Sequence, residues 1–148
     1  FATNSDGTHI TQPKAETQAI VMRTALRQAD LSSSDIGFIS GHGTATDTGD
    51  VAESIATSQV YGERVPMHSL KGHFGHTLGA CGAIEAWLSI HMMRDKWFVQ
   101  TANLTEIDPR CAPLDYVMGE PRHLDIEHFV SNNFAFGGVN TSLVFRRV

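Results

Sequence analysis

Three glycine-rich loops, each beside a short apolar run, constrain this chain more than any other feature of its sequence. Residues 41–49 follow the run 36–40, residues 71–76 follow 65–70, and residues 134–139 lie between 128–133 and 141–145. Ligands of open α/β sheets bind beyond the carboxyl ends of the strands, so three such loops predict convergence on one site. The loops carry His42, then Lys71 with His73 and His76, then Phe134 and Phe136. Their glycines supply a positive φ or room for a ligand against the backbone.

The segments between the loops have helical or strand periods. Ala15, Ala19, Met22, Leu26 and Ala29 recur at steps of 4, 3, 4 and 3, which places them on one helix face. Pro13 suits the first turn of that helix, with Thr11 or Gln12 as the cap. The polar run 32–35 ends the pattern, and 36–40 reads as a buried strand. A second helix is predicted over about 50–59, with Asp47 or Thr48 at its start, and a second buried strand within 65–70. A long helix over about 78–94 has the apolar stripe Ala80, Ala83, Ile84, Trp87, Leu88 and Met92, and small residues at its start. It is expected to be central and buried. A short strand at 98–101, a connection over 103–113 and a hairpin around the Gly137-Gly138 turn complete an α/β pattern.

Composition narrows the class. The 148 residues suit one domain of ordinary size, and no stretch nears the roughly 18 apolar residues of a membrane helix. No charged-then-apolar leader opens the chain. A net charge of −5, with Lys and Arg scattered, argues against nucleic acid as a partner. Cys81 and Cys111 make no disulfide framework, so a reducing cytoplasm is expected. The chain opens at Phe1 without methionine, and residues 1–8 read like a loop entered halfway; a trimmed chain or the later part of a longer protein is expected.

Single residues say less. A histidine in a glycine-flanked loop is more often a structural hydrogen bonder than a catalyst, and His9, His91, His123 and His128 stay at that level. His68, His73 and His76 lack a carboxylate or thiolate at compatible spacing, so no metal site is expected. Cys81, in Gly79-Ala-Cys-Gly-Ala83, echoes a nucleophile elbow without its final glycine; a small buried thiol that lets helices pack is expected. Cys111 has no evident partner.

Taken in order, the loops resemble the C-terminal half of a β-ketoacyl–acyl carrier protein synthase, a condensing enzyme of the thiolase-like superfamily. The family's His-Gly-Thr-Gly-Thr appears as His42-Gly-Thr-Ala-Thr46, followed by Gly49-Asp50 and Glu53. Its Lys, Gly-His, Gly-Ala-x-Gly and Glu appear as Lys71, Gly75-His76, Gly79-Ala-Cys-Gly82 and Glu85. Its terminal Asn-x-Phe-Gly-Phe-Gly-Gly-x-Asn appears as Asn132-Asn-Phe-Ala-Phe-Gly-Gly-Val-Asn140. Ala45 and Ala135 replace family glycines, and Gly-His-Phe-Gly stands where Ser-Met-Thr-Gly is common, as in a divergent polyene or polyketide subgroup. The resemblance implies one βαβαβαββ half of a five-layer αβαβα fold, spanning residues 1–148. The N-terminal half, with the nucleophilic cysteine, lies outside this chain.

The implied reaction is a decarboxylative Claisen condensation of malonyl–acyl carrier protein with an acyl thioester, in fatty acid or polyketide synthesis. By motif, His42 and His76 donate N–H to the thioester oxygen as carbon dioxide leaves. Lys71 is expected to favour the uncharged imidazole of His76 by like-charge repulsion, and Glu85 to hold Lys71. Thr44 and Thr46 would bond the phosphopantetheine arm, which reaches the site from the carrier protein; no other cofactor is implied. Phe136 would gate the site and lend its N–H to an oxyanion hole, with Phe134 beside it and Asp50 and Glu53 in support. The implied partners are acyl carrier protein, the N-terminal half, and a second copy or a ketosynthase partner subunit in a dimer. A local carrier-docking patch is expected either around Arg64, Arg94 and Lys96 or on the other half. A non-catalytic chain-length-factor-like partner is the alternative, although such proteins commonly lose parts of the His/His/Lys set. A degradative thiolase fits poorly, because that branch has a cysteine after its terminal glycine-rich motif and Gly137-Gly138-Val-Asn140 is followed by none. Without the other half, the helix over 78–94 would be exposed.

Overall fold

A computed structural model describes residues 1–3 and 13–148. Its elements are β1 (Ala2–Thr3), α1 (Ala15–Gln28), β2 (Phe38–Ser40), α2 (Gly49–Tyr61), β3 (Met67–His68), α3 (Lys71–Phe74), α4 (Cys81–Asp95), β4 (Trp97–Phe98), β5 (Arg122–His123), β6 (His128–Ala135) and β7 (Val139–Arg146). Five strands form one mixed sheet in the order β1-β7-β6-β2-β3. Within it β3, β2 and β6 run parallel, whereas β7 lies antiparallel to both β6 and β1. A separate antiparallel pair joins β4 to β5.

Helices cover both faces of the sheet, so consecutive residues of its central strands are buried, Phe38–Ser40 in β2 and Phe129–Asn132 in β6, and not alternately exposed. α1 packs on α2 and β7, while α4 packs on β2, β4 and β6. The period of two sorts neighbouring residues into two cores. Ile39 and Val130, paired in register, meet Ala19, Met22, Leu26 and Ala56 on one side. Phe38 and Phe129, the adjacent register pair, meet Met93 and Phe98 on the other. Gly37 lets this second core close: a Cβ at that position would stand 2.5 Å from Ile126 Cγ2.

Two expectations fail here. Pro13 precedes α1, whose N-cap is Lys14; the expected caps Thr11 and Gln12, like His9 and most of the segment 1–8, lie outside the described residues. The larger failure is α4. Its buried residues are Cys81, Glu85, Ser89 and Met93, one stripe at steps of four with a charged residue at its centre and Met93 in the core. Of the stripe expected to be buried, Ala80 and Ala83 are exposed and Ile84, Leu88 and Met92 half-buried, while Trp87 is 60% exposed. A buried ion pair decides this rotation: Glu85 must face inward to meet Lys71 at 2.5 Å. The apolar face is therefore left on the outside, as expected for this half alone. Among the described residues no helix is long and apolar enough to cross a membrane.

The Gly37 contact is directly testable. Gly37→Ala should lower stability by about 1–3 kcal/mol through overpacking, and by less in an Ile126→Ala background, which removes the Cγ2 that the new Cβ would meet. Denaturant unfolding of both variants checks it; additive losses would contradict the contact.

Candidate active site

Parallel strands make the site. β2, β3 and β6 share one direction, so the segments leaving their carboxyl ends emerge at a single edge of the sheet. His42 follows β2, Lys71 and His76 follow β3, and Asn133 and Phe134 end β6, with Phe136 just beyond in the turn. The three loops expected to converge do so.

The loop that carries His42 is held by two carboxylates on the first turns of α2. Glu53 accepts the His42 N–H on Oε1 and the Gly43 N–H on Oε2, both at 2.7 Å. Asp50 Oδ1 accepts the N–H groups of Thr44 at 2.9 Å and Ala45 at 3.1 Å. Residues 50 and 53 lie one turn apart on the same helix face, so their carboxyls reach consecutive pairs of amides. Burial raises the carboxyl of Asp50, and pushes that of Glu53 up to about 7 against the lowering effect of its two N–H donors. Ala45 keeps a left-handed conformation, φ +55°, where the family has glycine. The loop bears that strain, of the order of 1 kcal/mol, rather than change shape.

Lys71 opens α3 and is buried. Its ammonium donates to the His42 carbonyl at 2.5 Å, to Glu85 Oε1 at 2.5 Å and to His42 Nδ1 at 3.2 Å. Asn133 Nδ2 donates to the other Glu85 oxygen at 3.0 Å. An ammonium can only donate, so His42 Nδ1 is an acceptor and the ring proton resides on Nε2. Burial, then the Lys71 charge, then His76 push the His42 imidazole down to about 3, so it is neutral at ordinary pH. Lys71 thus acts on His42, and not on His76 as expected: the side chain of Lys71 is directed to the loop after β2.

His76 reaches the same tautomer by another route. The Leu78 N–H donates to His76 Nδ1 at 3.1 Å, which again leaves the proton on Nε2. The two rings stand 5.2 Å apart, centroid to centroid, and meet edge to face at 87°. Phe134 packs on His42 at 6.0 Å. Both imidazoles line a cavity of about 560 Å³ with Thr44, Thr46, Phe134 and Phe136. Thr44 and Thr46 join hydroxyls at 2.9 Å, and Phe136 is 66% exposed at the rim.

All ten candidate residues therefore belong to one site or its supports. Two further residues reach the site, Asn133 and Cys81, which residue type alone does not mark. Asn133 lies within the terminal motif beside the aromatics. Cys81 stands one helical turn before Glu85, and that spacing alone would have placed its thiol beside the carboxylate. His68 and His73 hydrogen-bond the carbonyls of Val99 and Gln100, each at 2.8 Å, and neither joins His76 in a ligand set. His42, Cys81 and Glu85 do offer three donor atoms within 4.8 Å of one another. The Lys71 ammonium already lies against His42 and Glu85, so a metal ion there would meet a like charge.

Comparison with known proteins agrees with this geometry. Residues 1–105 match the family model described as beta-ketoacyl synthase, C-terminal domain. The 3-oxoacyl-[acyl-carrier-protein] synthase 2 of Coxiella burnetii is 35% identical over 153 residues, which cover 100% of this chain and 37% of that protein. Among solved structures, a beta-ketoacyl synthase from Burkholderia phymatum is 59% identical with a TM-score of 0.95, over 99% of this chain and 36% of its own. The ketosynthase ApeO, solved in complex with its chain length factor ApeC from Xenorhabdus doucetiae, gives 35% identity and a TM-score of 0.88, over 99% and 38%. The chain spans little more than a third of these relatives. Its α/β fold is the thiolase-like fold of the ketosynthases, and the chain belongs to the β-ketoacyl synthase family, of which it carries the C-terminal domain.

Proposed function

We propose that this chain forms the C-terminal half of a condensing enzyme that decarboxylates malonyl–acyl carrier protein and joins the resulting carbanion to an acyl thioester. One observation carries this reading: two imidazoles from separate loops, each with Nδ1 engaged as an acceptor, line one cavity with Nε2–H groups left to donate. When the malonyl carboxylate leaves as carbon dioxide, its electron pair moves into the thioester and negative charge gathers on the carbonyl oxygen. Two preorganised donors at that oxygen lower the barrier by about 3–4 kcal/mol each in comparable sites. Lys71 fixes the His42 tautomer, and Glu85 with Asn133 fixes Lys71.

Thr44 and Thr46 offer hydroxyls to the amides of a phosphopantetheine arm, and Phe136, exposed at the rim, is placed to gate entry. The nucleophilic cysteine belongs to the N-terminal half, which would cover the outward stripe of α4. Acyl carrier protein supplies both substrates, and the enzyme acts in the cytoplasm as a homodimer or with a ketosynthase partner subunit. The intact His42, Lys71, His76 and Glu85 set favours catalysis over a chain-length-factor role.

Two measurements on the full-length enzyme test this. His42→Ala and His76→Ala should each slow malonyl decarboxylation by about 10²–10³-fold; unchanged turnover in either variant would overturn the assignment. The second measurement follows from Glu53. As pH falls through about 7 its carboxylate takes a proton, and the His42 and Gly43 amides lose an anionic acceptor. The wild-type rate should therefore decline on the acid side with an inflection near that pH, whereas Glu53→Gln should be slow throughout and lack the inflection. An identical inflection in Glu53→Gln would contradict the clamp.

A further inference from the structure

Glu53 and Asp50 fasten the loop after β2 only as far as residue 45. Residues 45–48, which include Thr46, are exposed. Thr46 shares a hydrogen bond with the Thr44 hydroxyl and lies over Gly49, where a Cβ would stand 2.3 Å from Thr46 Oγ1. The next residue, Asp47, reaches a distant part of the chain: its Oδ1 accepts a hydrogen bond from Arg110 Nη2 at 2.7 Å. Arg110 is itself held in place. Its Nε and Nη2 donate to Asp108 Oδ1 and Oδ2 at 3.0 and 2.6 Å, and the second Nη2 proton serves Asp47. The turn that presents it is anchored independently: the Cys111 N–H donates to the Asp108 carbonyl at 2.9 Å, and the Ala112 N–H to the buried Ser54 Oγ of α2 at 3.0 Å.

We propose that Arg110 is a positioning residue for the substrate arm: by holding Asp47 it fixes the exposed end of the loop, so that the Thr44 and Thr46 hydroxyls meet the arm in one place. An exposed ion pair usually contributes little, because two long side chains lose their freedom for a screened attraction. Here the guanidinium is already aligned by its fork onto Asp108, and Asp47 is short, so little freedom remains to be lost. The pair joins two segments 63 residues apart, and its loop end is adjacent to a cavity-lining threonine. Arg110 touches no reacting atom; its effect passes through Asp47 to Thr46. The inference rests on the proposed arm-binding role of the two threonines and adds the residue that holds them in place.

A double-mutant cycle in the full-length enzyme tests it, with malonyl decarboxylation measured on malonyl–acyl carrier protein and on malonyl–pantetheine, which has the arm without the protein. Arg110→Ala and Asp47→Ala should each raise KM about three- to fivefold for both substrates, with kcat changed less than about twofold. The double variant should be no worse than either single one, because both remove the same contact. A rise confined to the carrier-borne substrate would overturn the proposal and make Arg110 a docking residue. Additive effects, or a lower kcat at unchanged KM, would also overturn it and leave Arg110 a structural residue. Thr46→Ala provides the separate control: an unchanged KM there would remove the arm-binding role itself, whereas a raised KM in Thr46→Ala beside a normal Arg110→Ala would refute only the positioning.

Discussion

Lys71 is the point on which the site depends. Its buried ammonium has three protons, and the structure provides three acceptors: a carbonyl and a ring nitrogen of His42, and the carboxylate of Glu85. An unpaired ammonium in this position would carry a desolvation cost of several kcal/mol. Glu85 offsets the charge, and Asn133 occupies the carboxylate oxygen that Lys71 leaves open. The consequence for His42 is chemical as well as geometric. A cation that can only donate requires a lone pair on Nδ1, and the same cation disfavours a proton there, so the ring is neutral and its N–H is Nε2.

That ion pair also explains the orientation of α4. A helix chosen by its apolar stripe alone would turn Trp87 and Ile84 to the sheet. Glu85 lies on the opposite side, and bringing it to Lys71 places Ser89 and Met93 inward with it. The cost, an apolar face toward solvent in this chain, is of the kind a large interface removes. The electrostatics of the site and the outward apolar stripe therefore lie on opposite faces of one helix.

Much of this was legible in the sequence. The alternation of helices and short buried runs predicted an α/β sheet with loops converging beyond its strand ends, so His42, Lys71, His76 and Phe134 were expected together, and the parallel direction of β2, β3 and β6 is what brings those loops to one edge. The carboxylates Asp50 and Glu53 were visible as acids at a helix start, although not the amides they hold. Three features were not legible. Periodicity gives the apolar face of a helix but not whether that face is turned into this chain or out of it, and this reversed α4. Proximity of Lys71 to a histidine did not say which histidine, because the direction of a lysine side chain is set by its partners across the fold. The approach of Cys81 Sγ to His76 depends on the short turn at residues 78–80, whose geometry no pattern of residue types announces.

The tautomer of His42 is the central claim, and nitrogen-15 NMR of its ring in the full-length protein tests it most directly. The account predicts a protonated Nε2 and a pyridine-like Nδ1 at every pH above about 5, consistent with a group pushed down to about 3. A protonated Nδ1, or an imidazolium near neutral pH, would contradict it.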